Sequence, residues 1–144
     1  MKNKTQKAKI LTKDLIKYSE QIGLTSIPRM VFTPKEWDDI VGSKRRTKRD
    51  RMLGSSSRHH NSILVNLDFS GTLYSKEYKG TKKNRYFVVV KERWDLRRAR
   101  ETLVHELVHM RWTMGHGYAF AKRIDEILKG RRFDPIEIKK SESI

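Results

Sequence analysis

The stretch His105-Glu106-Leu107-Val108-His109 has the form H-E-x-x-H, and Met110-Arg111-Trp112-Thr113-Met114-Gly115-His116-Gly117 follows it. Positions four apart on a helix share one face and lie about 6 Å apart along the axis. Two imidazoles so placed can hold one zinc ion, each at about 2.0–2.1 Å. Glu106 stands beside them, able to reach a water on the metal without being a ligand. This is the spacing of a zinc peptidase. The flanks predict the helix itself. Asp95 is an N-cap, and Leu96, Ala99, Leu103, Leu107 and Met110 recur at three- and four-residue steps, with no Pro or Gly before Gly115. A helix over about 95–113 follows, with His105 and His109 off its apolar face. The competing reading is an amphipathic helix that carries two polar histidines by chance.

A third ligand is expected, and His116 is the first candidate. On a continued helix it would lie about 10 Å further along the axis. Tetrahedral ligands must instead stand within about 3–4 Å of each other. The chain therefore has to turn back after His109, and Gly115 and Gly117 offer a permissive backbone for that turn. Glu126 and Asp125, on the next expected helix, are the competing third ligands. His59 and His60 are adjacent on an extended segment, so their side chains point to opposite faces. They are read as surface residues outside the metal site.

H-E-x-x-H, a short gap, and then His116-Gly117-Tyr118-Ala119-Phe120 as H-G-x-x-F opening another helix resembles the SprT-like (Spartan-type) zinc metalloproteases. The resemblance covers about residues 60–130 and is sharpest over about 101–120. It implies that His105, His109 and His116 hold zinc and that Glu106 activates water. It also implies protein substrates bound or crosslinked to DNA. The sequence departs from the family in two ways. It has no cysteine, so the cysteine zinc ribbon of many members is missing. Spartan's own longer insertion before the third histidine and its long recruitment tail are missing too.

The 144 residues suit one domain, and 36% hydrophobic against 35% charged residues allow a modest core. The net charge of +16 favours polyanions, nucleic acid before acidic membrane surfaces, over a merely solvated basic surface. The absence of cysteine excludes disulfides and fits a reducing, cytoplasmic setting, nucleoid-associated if DNA is the partner. No apolar run follows the N-terminus and no window approaches a membrane span, so neither a signal peptide nor a membrane partner is expected. A monomer is expected.

Residues 1–9 read as a disordered basic N-terminus, 10–133 as one domain, and 134–144 as a loose tail. Leu11, Leu15, Ile16, Tyr18 and Ile22 form a helical stripe that Gly23 stops. Residues 28–33 read as a strand. Thr33, Pro34 and Glu36 read as the start of a short helix that turns Trp37 inward. Lys44, Arg45, Arg46, Lys48, Arg49 and Arg51 form the densest basic run, a flexible loop able to clamp phosphates or simply a solvated charge run. It contains no aromatic residue, so it does not point to base stacking. Residues 61–69 and 85–91 read as strands that pair antiparallel beneath the motif helix. Residues 70–84 read as a loop between them, and Gly117 to Leu128 as the closing helix. The expected class is α+β, a small, twisted, mostly antiparallel sheet packed against helices in a zincin-like arrangement.

The expected activity is zinc-dependent peptide hydrolysis, with Glu106 as general base. Tyr118 is a candidate oxyanion donor, against a packed tyrosine at a helix start. Three alternatives stand beside it. One is a zinc hydrolase with another substrate, such as an RNA phosphodiester. The second is a minimal zinc peptidase with an acidic third ligand and no nucleic-acid role. The third is a non-catalytic DNA-binding module with a structural zinc site.

Overall fold

A computed structural model describes residues 3–42 and 52–135. The side chains of Tyr74, Lys76, Val90, Lys91 and Glu92 are not described. The basic run Lys44, Arg45, Arg46, Lys48, Arg49 and Arg51 and the tail from residue 136 onward lie outside the described residues. The elements are α1 (Lys4–Gln21), β1 (Arg29–Val31), α2 (Pro34–Val41), β2 (Gly54–Ser57), β3 (Ser62–Val65), β4 (Thr72–Lys79), β5 (Tyr86–Trp94), α3 (Leu96–Arg111) and α4 (Tyr118–Leu128). The class is α+β.

The strands form two separate sheets, which corrects the expected pairing. β3 lies at the centre of a three-stranded sheet, parallel to β1 and antiparallel to β2. β4 and β5 form an antiparallel hairpin of their own, with an irregularity between Ser75 and Lys76. Residues 61–69 and 85–91 therefore do not pair with each other. Residues 72–79, expected as loop, supply a full strand, and residues 54–57, expected as flexible, supply an edge strand.

β3 is buried along its whole length because both of its faces are covered. Ile63 and Val65 enter the main core with Leu11, Leu15 and Tyr18 of α1, Leu103, Val104, Leu107 and Val108 of α3, and Phe120 and Ile127 of α4. Leu64, on the opposite face, packs with Val31 and Trp37. Strand alternation thus divides the core in two. α2 is placed as its sequence predicts. Thr33 Oγ1 accepts from the Glu36 amide at 3.2 Å, Pro34 opens the helix, and Trp37 is buried.

The helix α1 begins earlier than expected, at Lys4, so that residues 4–9 belong to it. The cause is a capping box. Asn3 Oδ1 accepts from the Gln6 amide at 2.9 Å, and the Asn3 amide donates to Gln6 Oε1 at 3.1 Å. Lys7 is buried and its ammonium lies 5.4 Å from the centroid of the Trp94 ring, so a basic residue packs where a charge run suggested solvent. Ile16, assigned to the apolar stripe, is exposed.

Two side chains of α1 fasten it to the rest. Asp14 accepts from Arg100 of α3, with Nε at 2.8 Å and Nη2 at 3.3 Å. Buried Gln21 donates from its Nε2 to the carbonyls of Ile127 and Arg131, each at 2.7 Å. The Ile127 carbonyl, near the C-terminal end of α4, also accepts from the Gly130 amide at 2.9 Å, and Arg131 lies just beyond the helix. Gly23 follows, at φ +73°, and a Cβ there would fall 2.3 Å from the Asp134 carbonyl oxygen. The segment beyond α4 thus lies directly over the end of α1. Gln21→Ala should remove two hydrogen bonds between α1 and the end of α4, at about 0.5–1.5 kcal/mol each. A thermal melt should fall by several degrees while far-UV circular dichroism stays native at room temperature, and an unchanged Tm would show that water replaces the amide.

Candidate metal centre

Asp95 caps α3 as predicted, its Oδ1 accepting from the amides of Arg97 at 3.0 Å and Arg98 at 3.4 Å. The helix buries Ala99, Leu103, Val104, Leu107 and Val108 and leaves His105 and His109 half-buried on its other side. It ends at Arg111. Trp112 is extended, at φ −127° and ψ 149°, and its amide makes the last helical bond to the Val108 carbonyl at 2.8 Å. The Trp112 ring is held against Phe133 and beneath the guanidinium groups of Arg111 and Arg123. That packing fixes the direction in which the chain leaves α3.

The reversal brings His116 back to the helix. His109 Nε2 lies 3.2 Å from His105 Nε2 and 2.8 Å from His116 Nε2. One ligand nitrogen from each histidine falls within 4.8 Å of the others. Three nitrogens about 2.0–2.1 Å from one ion in tetrahedral geometry would stand roughly 3.3–3.4 Å apart. The donor set could therefore hold a metal ion at their centre. The glycines take a smaller part than the sequence suggests. Neither Gly115 nor Gly117 has a positive φ, and a Cβ at either would touch nothing within 4 Å. The reversal rests on Trp112 instead.

Phe120, buried in the first turn of α4, forms the floor. Its ring centroid lies 4.8 Å from those of His105 and His109 and 5.0 Å from that of His116. Burial, and then the neighbouring imidazoles His109 and His116, push the His105 pKa down to about 4. Burial, His116 and Arg58 lower that of His109. Both rings are therefore neutral near pH 7, with a lone pair free for a cation.

Glu106, the next residue after His105, is only 5% exposed. Burial pushes its pKa up to about 7, against a hydrogen bond from Ser56 that favours the carboxylate. Beside it lies Gly54, where a Cβ would fall 2.8 Å from Glu106 Oε2 and 2.8 Å from the Leu64 carbonyl oxygen. Only a residue without a side chain lets β2 pass this close. His105 and Glu106 together line one wall of an open cleft of about 770 Å³, whose apolar lining includes Leu53, Phe69, Leu73, Ile124 and Leu128.

The other candidates fall outside the three-histidine group. Glu126 is ion-paired with Arg131, and Asp125 with Lys129 at 2.8 Å. Among the described residues, the group able to hold a metal consists of the three histidines alone. His59 and His60 are exposed, with His60 Nδ1 2.8 Å from Ser57 Oγ. Tyr118 is 84% exposed, so it is not the packed helix-start tyrosine of the competing reading.

Three contributors escaped the sequence reading. Gly54 and Ser56 stood in what looked like a loop. Arg58 carries no motif at all, yet its Nε donates to the His109 carbonyl at 2.8 Å and its Nη1 to Thr113 Oγ1 at 3.2 Å. It caps the last turn of α3 at a ligand residue.

No family model matches the chain, and neither a curated protein nor a solved structure matches it.

Gly54→Ala separates the two halves of the site. It should cost about 1–3 kcal/mol by overpacking and displace the Glu106 carboxylate. Cobalt or zinc titration should find the three-histidine group still competent. Loss of metal uptake in a folded Gly54→Ala chain would show that the halves are not separable.

Proposed function

We propose that the chain is a zinc-dependent metalloendopeptidase of the SprT-like type, with a zincin-like arrangement of its motif helix, acting on proteins bound or crosslinked to DNA. The observation that carries this reading is the convergence of His105, His109 and His116, with His105 and the buried carboxylate of Glu106 lining one cleft. His105, His109 and His116 would hold the ion through Nε2. When bound, zinc supplies Lewis acidity and makes water a nucleophile near neutral pH.

The chain's own residues do the rest. Glu106 takes the proton of the attacking water on its carboxylate and passes it to the leaving amine nitrogen. A carboxyl whose pKa lies near the working pH suits both transfers. Ser56 and Gly54 hold that carboxylate in place, one by a hydrogen bond and the other by leaving room. Tyr118, two residues beyond His116 and 84% exposed, would supply an oxyanion donor. The apolar walls bind the substrate chain and displace water from the scissile bond.

The DNA part of the reading rests on the +16 charge, the Lys44–Arg51 run and the family resemblance. Among the described residues no helix is long and apolar enough to cross a membrane.

His105→Ala and His109→Ala should each abolish stoichiometric zinc uptake. Glu106→Gln should keep zinc and fold but lose about 10²–10⁴-fold in hydrolysis of a basic protein. Full peptidase activity in Glu106→Gln would remove the mechanism. Native activity that ignores added DNA would separate the peptidase from the nucleic-acid role.

A further inference from the structure

The β4–β5 hairpin carries features that the metal centre does not use. Every residue from 77 to 89 is exposed. Tyr78, Tyr86 and Phe87 are 62%, 56% and 52% exposed, and Val88 and Val89 are exposed beside them. An isolated two-stranded ribbon is marginal by itself, and uncovered aromatic surface of this extent marks a binding site.

The register places its parts. Tyr78 pairs with Phe87, so both rings occupy one face, 6.4 Å apart and nearly perpendicular. The Arg85 guanidinium lies over the Tyr78 ring, 4.8 Å from its centroid. At the tip, Lys79, Lys82 and Arg85 line a small hollow of about 190 Å³ together with Tyr78, Gly80 and Thr81. From 78 to 87 there are four cations, Lys79, Lys82, Lys83 and Arg85, and no acid.

An anion seat beside exposed aromatic rings matches the two halves of a nucleotide, phosphate and base. A membrane wedge would have the reverse order, with apolar residues at the tip and cations behind. Here the cations form the tip and the rings stand behind them. In a duplex the faces of the bases are hidden, so stacking requires a single strand.

We propose that the β4–β5 ribbon binds single-stranded nucleic acid, with bases stacked on Tyr78 and Phe87 and a backbone phosphate seated among Lys79, Lys82 and Arg85. This extends the nucleic-acid part of the proposed function, but it does not depend on hydrolysis.

The test is fluorescence anisotropy on the full chain at several salt concentrations. The probes are labelled oligothymidylate and oligouridylate of about 20 nucleotides, a duplex of similar length, and vesicles containing anionic lipid. Either single strand should bind more tightly than the duplex, and the ratio of the two identifies DNA or RNA as the better ligand. Tyr78→Ser and Phe87→Ser should each weaken single-strand binding at least about fivefold, while Tyr78→Phe keeps it. Lys82→Ser, in the turn and remote from the core, should reduce the slope of log K against log salt by up to about 0.7. Both effects should persist when Lys44, Arg45, Arg46, Lys48, Arg49 and Arg51 are all replaced by Ser. Unchanged affinity in folded Tyr78→Ser and Phe87→Ser chains, equal binding of duplex, or ring-dependent binding of vesicles in place of oligonucleotides would overturn the proposal. Its failure would leave zinc uptake and Glu106-dependent hydrolysis intact, and failure of those would leave single-strand binding intact.

Discussion

A metal held by side chains needs several lone pairs at one point, and one face of a straight helix brings only two imidazoles there. The third donor has to come from chain that has left the helix and returned. Most of the architecture around α3 serves that requirement. Trp112 ends the helix in an extended conformation, Arg123 and Phe133 hold its ring, and Phe120 gives the returning histidine a floor shared with the other two. Arg58, from the turn before β3, ties off the His109 carbonyl. The position of His116 is therefore set by residues on both sides of it in sequence and by none of the glycines next to it.

A second constraint acts on Glu106, in the same helix turn. A carboxylate in a dry wall is costly, and Glu106 meets that cost partly by holding its proton more tightly and partly through Ser56. β2 has to come close for Ser56 to help, and Gly54 is what permits the approach. An edge strand of four small residues, Gly-Ser-Ser-Ser, looks like a poor strand by propensity. It is paired with β3 and pressed against α3, so tertiary contact outweighs intrinsic preference.

The parts legible in the sequence were those governed by local rules. The Asp95 cap, the α3 periodicity, the Thr33–Pro34 start of α2 and the convergence of His105, His109 and His116 all follow from spacings of a few residues. Other features escaped, some of them because their partners lie far away in the chain. Gly54-Ser55-Ser56-Ser57 has no apolar alternation to announce a strand. Lysines and Gly71 and Gly80 made residues 70–84 resemble a loop, although β4 pairs with β5 along its whole length. Asn3 and Gln6 form a capping box that a basic N-terminal stretch concealed. The family resemblance supplied roles for the motif residues, but it carried no information about Gly54, Ser56 or Arg58.

The clasp between Gln21 and the end of α4 joins residues 106 positions apart. The histidine contacts at the metal centre span only 4 and 7. Closing a long loop loses more chain entropy than closing a short one, and contacts between distant residues form late. The metal centre can therefore assemble as a local unit of α3, the reversal and the first turn of α4. The N-terminal helix closes over the far end of α4 afterwards. An ion captured early would act as a staple, holding the reversal in place while the chain's two ends find each other.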